Sequence, residues 1–235
     1  MLRDSGFEPE GKHYYFLLRA LLVGRDLVSA TELLQEMEHL GASCFTGASG
    51  QFDADRYASI KGLLVDNITY AKRNTSWKQQ DIRLRTNSES LKRMDTLYFA
   101  LVEQMRNSHN SAEDAAAPAR VPRVVLDALV ESAGRMGLTD KAFTIFQEYS
   151  SLFNTEPDIN SYNALLSVCA GKNSLGINSV LTVFQDVETT CFGAPGAAES
   201  RAVDQAFSAL LEAIVNRRQF QLLDQVRIDW CSSLD

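Results

Sequence analysis

The chain has 235 residues, of which 45% are hydrophobic and 23% charged, and its formal net charge is −7 at pH 7. This balance is typical of a globular protein, so the bulk of the chain should fold. No apolar run approaches the roughly twenty residues that a membrane span requires, and we expect no membrane partner. The negative charge weakens the simplest nucleic-acid interpretation, because affinity for phosphates comes from Lys and Arg side chains that displace counterions.

Residue types favour helix nearly throughout. Only 5 prolines and 13 glycines interrupt the chain, while Leu, Ala, Glu, Gln and Arg recur in long runs. The cysteines are Cys44, Cys169, Cys191 and Cys231. They are far apart and form no Cys-x-x-Cys pair, so neither a zinc site nor a disulfide framework is indicated and a reduced compartment is the default.

The first predicted unit is a helical hairpin at residues 11–45. One apolar stripe at helical spacing consists of Tyr14, Leu17, Leu18, Leu21 and Leu22, and a second consists of Ala30, Leu33, Leu34 and Met37. Gly24-Arg25-Asp26 separates the two stripes, and Asp26 is placed to cap the second helix. Two short antiparallel helices are therefore expected here.

The second unit, residues 52–107, is an irregular hairpin with an insertion at residues 72–93. We call this insertion the basic segment, since it holds Lys72, Arg73, Lys78, Arg83, Arg85, Lys92 and Arg93, together with Trp77, against only Asp81 and Glu89. It is either a solvated insertion or an arm that grips RNA phosphates. In the second case Trp77 is available for stacking on a base.

A polar, alanine-rich loop or linker is predicted at residues 108–119, and hairpins resume after it. Residues 123–158 form a third hairpin, in which Asp140 is placed to cap the second helix, and residues 159–191 form a fourth. A further loop spans residues 192–198, and a degenerate fifth hairpin spans residues 199–232, where the turn near Asn216 lacks a glycine.

Two second-helix segments share an Ala-x-x-apolar-apolar signature, which begins at Ala30 and at Ala142 and gives a repeat period of about 35 residues. Glu156-Pro157-Asp158-Ile159-Asn160-Ser161-Tyr162-Asn163-Ala164-Leu165-Leu166 resembles the junction between two pentatricopeptide repeats. Residues 1–10 resemble the end of such a repeat, so we expect a chain that begins within a repeat and lacks upstream repeats and a transit peptide. Tetratricopeptide repeats are the nearest rival, but no Trp-x-x-Leu-Gly opening occurs.

The resemblance implies an all-α fold, a right-handed α-solenoid of four to five antiparallel helical hairpins, with no cofactor. It also implies that the first helices of the hairpins bind single-stranded RNA. The expected setting is RNA processing, stability or translation in a mitochondrion or plastid.

Particular side chains carry the expected RNA contacts. By resemblance, the base readers are Tyr15, Asp127, Asn163 and Ser208, with Asp158 as the partner that closes the third repeat. The Asn163 amide offers both a donor and an acceptor, an ionised Asp127 only accepts, and Tyr15 could stack on a base. For each polar residue the alternative is an ordinary helix cap or a solvated side chain. In the basic segment the candidates are Lys72, Arg73, Trp77, Lys78, Arg83 and Arg85.

No pattern indicates catalysis or a metal site. His13, His39 and His109 lie in unrelated segments, and no Gly-rich phosphate loop or His-Glu-x-x-His motif occurs. The alternative function is a protein-binding scaffold or a structural subunit of an organellar ribosome or other assembly. The net charge and the irregular repeats favour this alternative, whereas the Tyr162-Asn163 junction and the basic segment favour RNA.

Overall fold

A computed structural model describes residues 10–40, 43–46, 51–69, 79–110, 120–170, 177–191 and 201–222. Within these ranges the fold is all-helical, and the only extended pairing is an isolated bridge between Thr46 and Phe52. The helices are α1 (Gly11–Val23), α2 (Leu27–His39), α3 (Ala54–Thr69), α4 (Gln79–Asn110), α5 (Arg123–Arg135), α6 (Thr139–Ser151), α7 (Ile159–Ala170), α8 (Ile177–Cys191) and α9 (Arg201–Asn216). The predicted all-α class is confirmed.

The odd-numbered helices pack side by side in chain order, α1 on α3, α3 on α5, α5 on α7 and α7 on α9. Each of the first four also packs against the even-numbered helix that follows it. Near the helix starts, the Tyr15 hydroxyl lies 3.4 Å from the Ser59 hydroxyl. Near the helix ends, the Asn67 amide donates to the Leu22 carbonyl at 2.9 Å. The neighbouring odd helices α1 and α3 are therefore parallel and in register, and we call α1, α3, α5, α7 and α9 the odd-helix row.

Three tight turns in this row share one backbone geometry. A residue with positive φ follows each helix by two positions, namely Arg25 (66°), Gly137 (76°) and Arg218 (56°). In each turn the backbone N–H of this residue and the next bond back to the helix, as Gly137 N–H does to Gly134 at 2.9 Å and Leu138 N–H to Ala133 at 2.8 Å. This is the Schellman arrangement, which satisfies the last carbonyl groups of a helix. The turn after Asn216 contains no glycine, and it nevertheless has the same geometry as the other two turns.

The buried side chains form one continuous core from Tyr14 to Ile214. Helix α5 lies at its centre, and every residue from Val124 to Val130 is buried because α3, α6 and α7 surround it. The predicted stripes locate most of this core. Leu17 departs from the prediction, since it is 39% exposed.

The helix boundaries correct three sequence-based expectations. Helix α4 begins at Gln79, so the second part of the basic segment extends a helix and is not an insertion between two helices. The same helix runs to Asn110, into the predicted linker at 108–119. Asp140 lies in the first turn of α6, whose capping residue is Leu138. The Asp26 cap is confirmed, since its carboxylate accepts from the Ser29 N–H at 3.1 Å.

Several predicted segments lie outside the described residues. They are positions 1–9 of the expected upstream repeat, the rest of the 108–119 linker, the 192–198 loop and the second helix of the fifth hairpin from 223 onward.

Candidate functional site

Three of the four expected base-reading residues occupy the same position within helices of the odd-helix row. Tyr15, Asp127 and Asn163 are each the fifth residue of their helices, which begin at Gly11, Arg123 and Ile159. Each of these three positions therefore lies about one turn after the start of its helix. Their surroundings differ greatly, however, and this decides what each can contact.

Asp127 is fully buried and serves as an acceptor inside the core. The Tyr57 hydroxyl donates to its carboxylate at 2.5 Å and the Tyr149 hydroxyl donates at 2.9 Å. Burial raises the pKa of Asp127 to about 6, and the hydrogen bond from Tyr57 lowers it in part. Burial and the neighbouring carboxylate also raise the pKa of both phenols well above the usual value. No side of this carboxylate is open to a nucleotide, so the expected base-reading role does not fit its position.

Asp158 joins the starts of α5 and α7. One carboxylate oxygen accepts from the backbone N–H groups of Asn160 at 2.9 Å and Ser161 at 3.1 Å, as a helix cap does. The other accepts from the Arg123 guanidinium at 2.7 Å. Arg123 also donates to the Glu156 carbonyl at 3.0 Å. Asp158 thus has a structural role at the junction where the sequence predicted a base contact.

The other three residues expected to contact bases are each at least partly exposed to solvent. Asn163 is half-buried on α7, and Ser208 is exposed on α9, where its hydroxyl donates to the Asp204 carbonyl at 2.7 Å. Tyr15 is half-buried, and the guanidinium of Arg56 lies 5.4 Å from the centre of its ring. The guanidinium covers one face of the ring, so a base could stack on Tyr15 only from the other face.

Ion pairs join α3 and α5 further along the row. Lys61 lies 3.2 Å from Glu131, and Arg135 lies 2.9 Å from Glu131 and 3.3 Å from Asp66. We call these four residues the charged strip. The spacing of Glu131 and Arg135 on one helix was visible in the sequence, but their partners on α3 were not. Since each cation of the strip faces a carboxylate, the strip offers little net positive charge to a phosphate.

The basic segment is described only in part. Lys72, Arg73, Trp77 and Lys78 lie outside the described residues, and Arg83 and Arg85 are placed in the backbone of α4 without a description of their side chains. Lys92 is exposed, and Arg93 donates to the Ile68 carbonyl at 3.3 Å.

A cavity of about 500 Å³ lies between the first hairpin and the segments that flank α5 and α6. Its walls include the apolar Leu34, Met37, Phe45 and Phe52, and charged groups at its edge are Glu38, Arg120, Arg123 and Glu156. Cys44 also lines it, but burial raises the pKa of this thiol to about 12, so no thiolate forms near neutral pH. The cavity is therefore either a gap in the packing or a binding pocket.

Cys169 is buried in the core on α7, and burial raises its pKa to about 11. Among the described residues, no group of three or more His, Cys, Asp or Glu side chains could hold a metal ion. Nor does the described part of the chain contain a helix with the length and apolar character needed to span a membrane.

Searches of the sequence against protein-family models and against curated proteins gave no match. The resemblance to pentatricopeptide repeats therefore rests on the motifs of the chain itself.

Proposed function

We propose that this chain is a non-catalytic helical-repeat protein, a right-handed α-solenoid of four to five hairpins, that binds single-stranded RNA along the odd-helix row. The observation that carries the proposal is the agreement between the repeat frame and the helix starts. Tyr15 and Asn163 occupy the same position in two helices of the parallel row, and in α5, between them in chain order, that position holds the buried structural carboxylate of Asp127. A repeated position along parallel helices is what helical-repeat RNA readers use to meet successive bases.

Within this proposal the candidate residues have different tasks. Asn163 bonds to a base edge through its amide, and Tyr15 stacks on a base while Arg56 lies against its ring. Ser208 is exposed and offers a weaker polar contact. Asp127 and Asp158 hold the helices at the required spacing and do not contact RNA. Lys72, Arg73, Lys78, Arg83 and Arg85, with Trp77, grip the phosphates and stack.

A role in organellar RNA processing, stability or translation, in a mitochondrion or plastid, follows from the family resemblance alone and belongs to the same proposal.

A protein-binding scaffold, such as a structural subunit of an organellar ribosome, is the second candidate. The specific observation that favours it is the charged strip, whose Lys61 and Arg135 are both paired with carboxylates. RNA affinity normally depends on cations that are free to meet phosphates. The net charge of −7 points the same way.

The test is retention of a random single-stranded RNA pool by the purified chain at two salt concentrations. We expect enrichment of a short motif, an affinity that falls steeply with salt, and a loss of about tenfold for Asn163→Ala, since one base contact contributes roughly 1–3 kcal/mol. Asn178→Ala is the matched control, because Asn178 is exposed on α8 outside the odd-helix row, and it should bind as the wild type does.

Absence of retention at low salt would overturn the RNA proposal and make a protein partner the next target. If the Asn163→Ala and Asn178→Ala variants retain RNA with equal affinity, Asn163 does not read a base. RNA binding would then depend on contacts to the phosphates. Circular dichroism of each variant checks that the fold is intact.

A further inference from the structure

Among the described residues, α1 and α9, the first and last helices of the odd-helix row, each have an exposed face that no other odd helix covers. In the described part of the chain, α3, α5 and α7 each pack between two odd helices. The main odd-helix neighbour of α1 is α3 alone and that of α9 is α7 alone, although α1 also packs on α2 and α9 on α8. The open face of α1 exposes Lys12, Phe16, Arg19, Ala20 and Val23. The open face of α9 exposes Asp204, Ser208, Leu211, Glu212 and Val215. Both sets follow the spacing i, i+4, i+7, i+8, i+11, which is a single face of a helix.

Both faces carry large apolar side chains. Phe16 is 63% exposed and Val23 64% exposed on α1, while Leu211 is 40% exposed and Val215 53% exposed on α9. Burial of such side chains is favourable by about 25 cal/mol per Å² of apolar surface. Within the chain, α3, α5 and α7 each pack against an odd helix on either side.

The charges on the two faces are complementary. The α1 face carries Lys12 and Arg19 and no carboxylate, and the α9 face carries Asp204 and Glu212 and no cation. If α1 and α9 pack in parallel and in register, as α1 and α3 do, Lys12 lies next to Asp204 and Arg19 next to Glu212. Lys12 already has a surface partner in Glu10 at 2.7 Å. Arg19 and Glu212 form no ion pair with any described residue.

We propose that this chain self-associates head to tail, with the α1 face of one copy packed against the α9 face of the next, so that the odd-helix row continues from copy to copy. A second copy is the occupant that fits both faces at once, since each face supplies the charge that the other lacks. Such a contact leaves one open face at each end of the assembly, so it adds further copies and does not stop at a dimer. One helix pair is a small interface, and association should therefore depend strongly on concentration.

The test is sedimentation velocity of the full chain over a wide concentration range at low and moderate salt. We expect the wild type to form dimers and longer species as its concentration rises, and less so with added salt, because the exposed charge pairs are screened. Arg19→Glu and Glu212→Arg should each raise the concentration needed for association at least tenfold. Phe16→Ser should do the same without changing the charge of the face.

A mixture of the two charge-reversal variants tests whether these two faces form the contact. Arg19→Glu and Glu212→Arg chains repel their own kind at this contact, but an equimolar mixture restores an opposite-charge pair and should associate as the wild type does. Asp186→Arg, an exposed position on α8 with the same change in net charge as Glu212→Arg, is the matched control and should associate normally.

A wild type that stays monomeric at its highest soluble concentration would overturn the proposal. Association that neither charge reversal weakens would also overturn it, because another surface would then be responsible. A mixture of the two variants that does not associate would overturn it as well. Thermal melts of the variants confirm that the exposed substitutions leave the fold intact, and the outcome does not depend on RNA binding.

Discussion

The hydroxyl of Tyr57 on α3 and the carboxylate of Asp127 on α5 form a 2.5 Å hydrogen bond within the core. Tyr149 on α6 donates to the same carboxylate at 2.9 Å, so three helices meet at one buried acceptor. An ionised carboxylate is costly to bury, and the two phenol donors offset part of that cost. The stability of the centre of the fold should therefore depend on both donors and on pH.

Tyr57→Phe removes one donor and keeps the ring. We expect the free energy of unfolding near pH 7.5 to fall by about 1.5–3 kcal/mol, the range for a hydrogen bond to a charged group. The loss should be smaller near pH 5, where Asp127 is largely neutral. Urea unfolding at the two pH values measures both effects.

Tyr98→Phe is the matched control for that variant, because the Tyr98 hydroxyl donates to the partly exposed Glu148 at 2.7 Å. Its loss should be smaller, within about 1 kcal/mol. Equal losses in the two variants would contradict a special role for the buried carboxylate.

Asp127→Asn should flatten the dependence of stability on pH. The pKa of this carboxyl is raised from 3.8 to about 6, so between these values the folded state binds more protons than the unfolded state. The free energy of unfolding of the wild type therefore decreases as pH rises through this window, by about 3 kcal/mol from this group alone, and the amide variant lacks that contribution. Urea unfolding from pH 4 to pH 7.5 compares the two slopes, and identical slopes would show that Asp127 does not titrate in this range.

The same substitution at two glycines should have opposite effects. Gly137 has a φ of 76°, and a Cβ there would meet no atom within 4 Å, so Gly137→Ala should cost about 1 kcal/mol through backbone conformation alone. Gly62 lies inside α3, where a Cβ is equally free of contacts, so Gly62→Ala should stabilise the protein by roughly 0.5–1 kcal/mol. Thermal or urea unfolding tests both, and a stabilising Gly137→Ala would exclude the left-handed turn.

Gly134 permits close packing of α5 on α7. A methyl group at this position would overlap the side chain of Val168, so Gly134→Ala should destabilise the fold by about 1–3 kcal/mol. Val168→Ala should also destabilise it, by creating a cavity. The double variant should lose less than the sum of the two single losses, because the smaller side chain makes room for the methyl group. Strictly additive losses would mean that the two helices do not meet at these residues.

Features set by neighbouring residues were predictable from the sequence. The Asp26 cap and the stripes that contain Leu18 and Leu34 depend on helical spacing within one segment, and all are found where expected. The start of α4 at Gln79 was missed because its first turns lack an apolar stripe, and only the residue preferences of the segment favoured helix.

The environment of Asp127 could not be predicted in the same way. Its partner Tyr57 is 70 residues distant in the chain, and no local pattern records which helices will surround α5. The turn near Asn216 was predicted, and its lack of a glycine does not alter it, since backbone hydrogen bonds define its geometry.

The neighbour-to-neighbour packing of the odd-helix row has a mechanical consequence. Since α1 touches α3 but not α5 among its principal contacts, and α9 touches α7 but not α5, a pulling force applied to the two ends should detach the terminal hairpins one after another. The segment from Val124 to Val130, enclosed on all sides, should be the last to yield. Such a chain can lengthen in steps under tension while its centre keeps its native contacts.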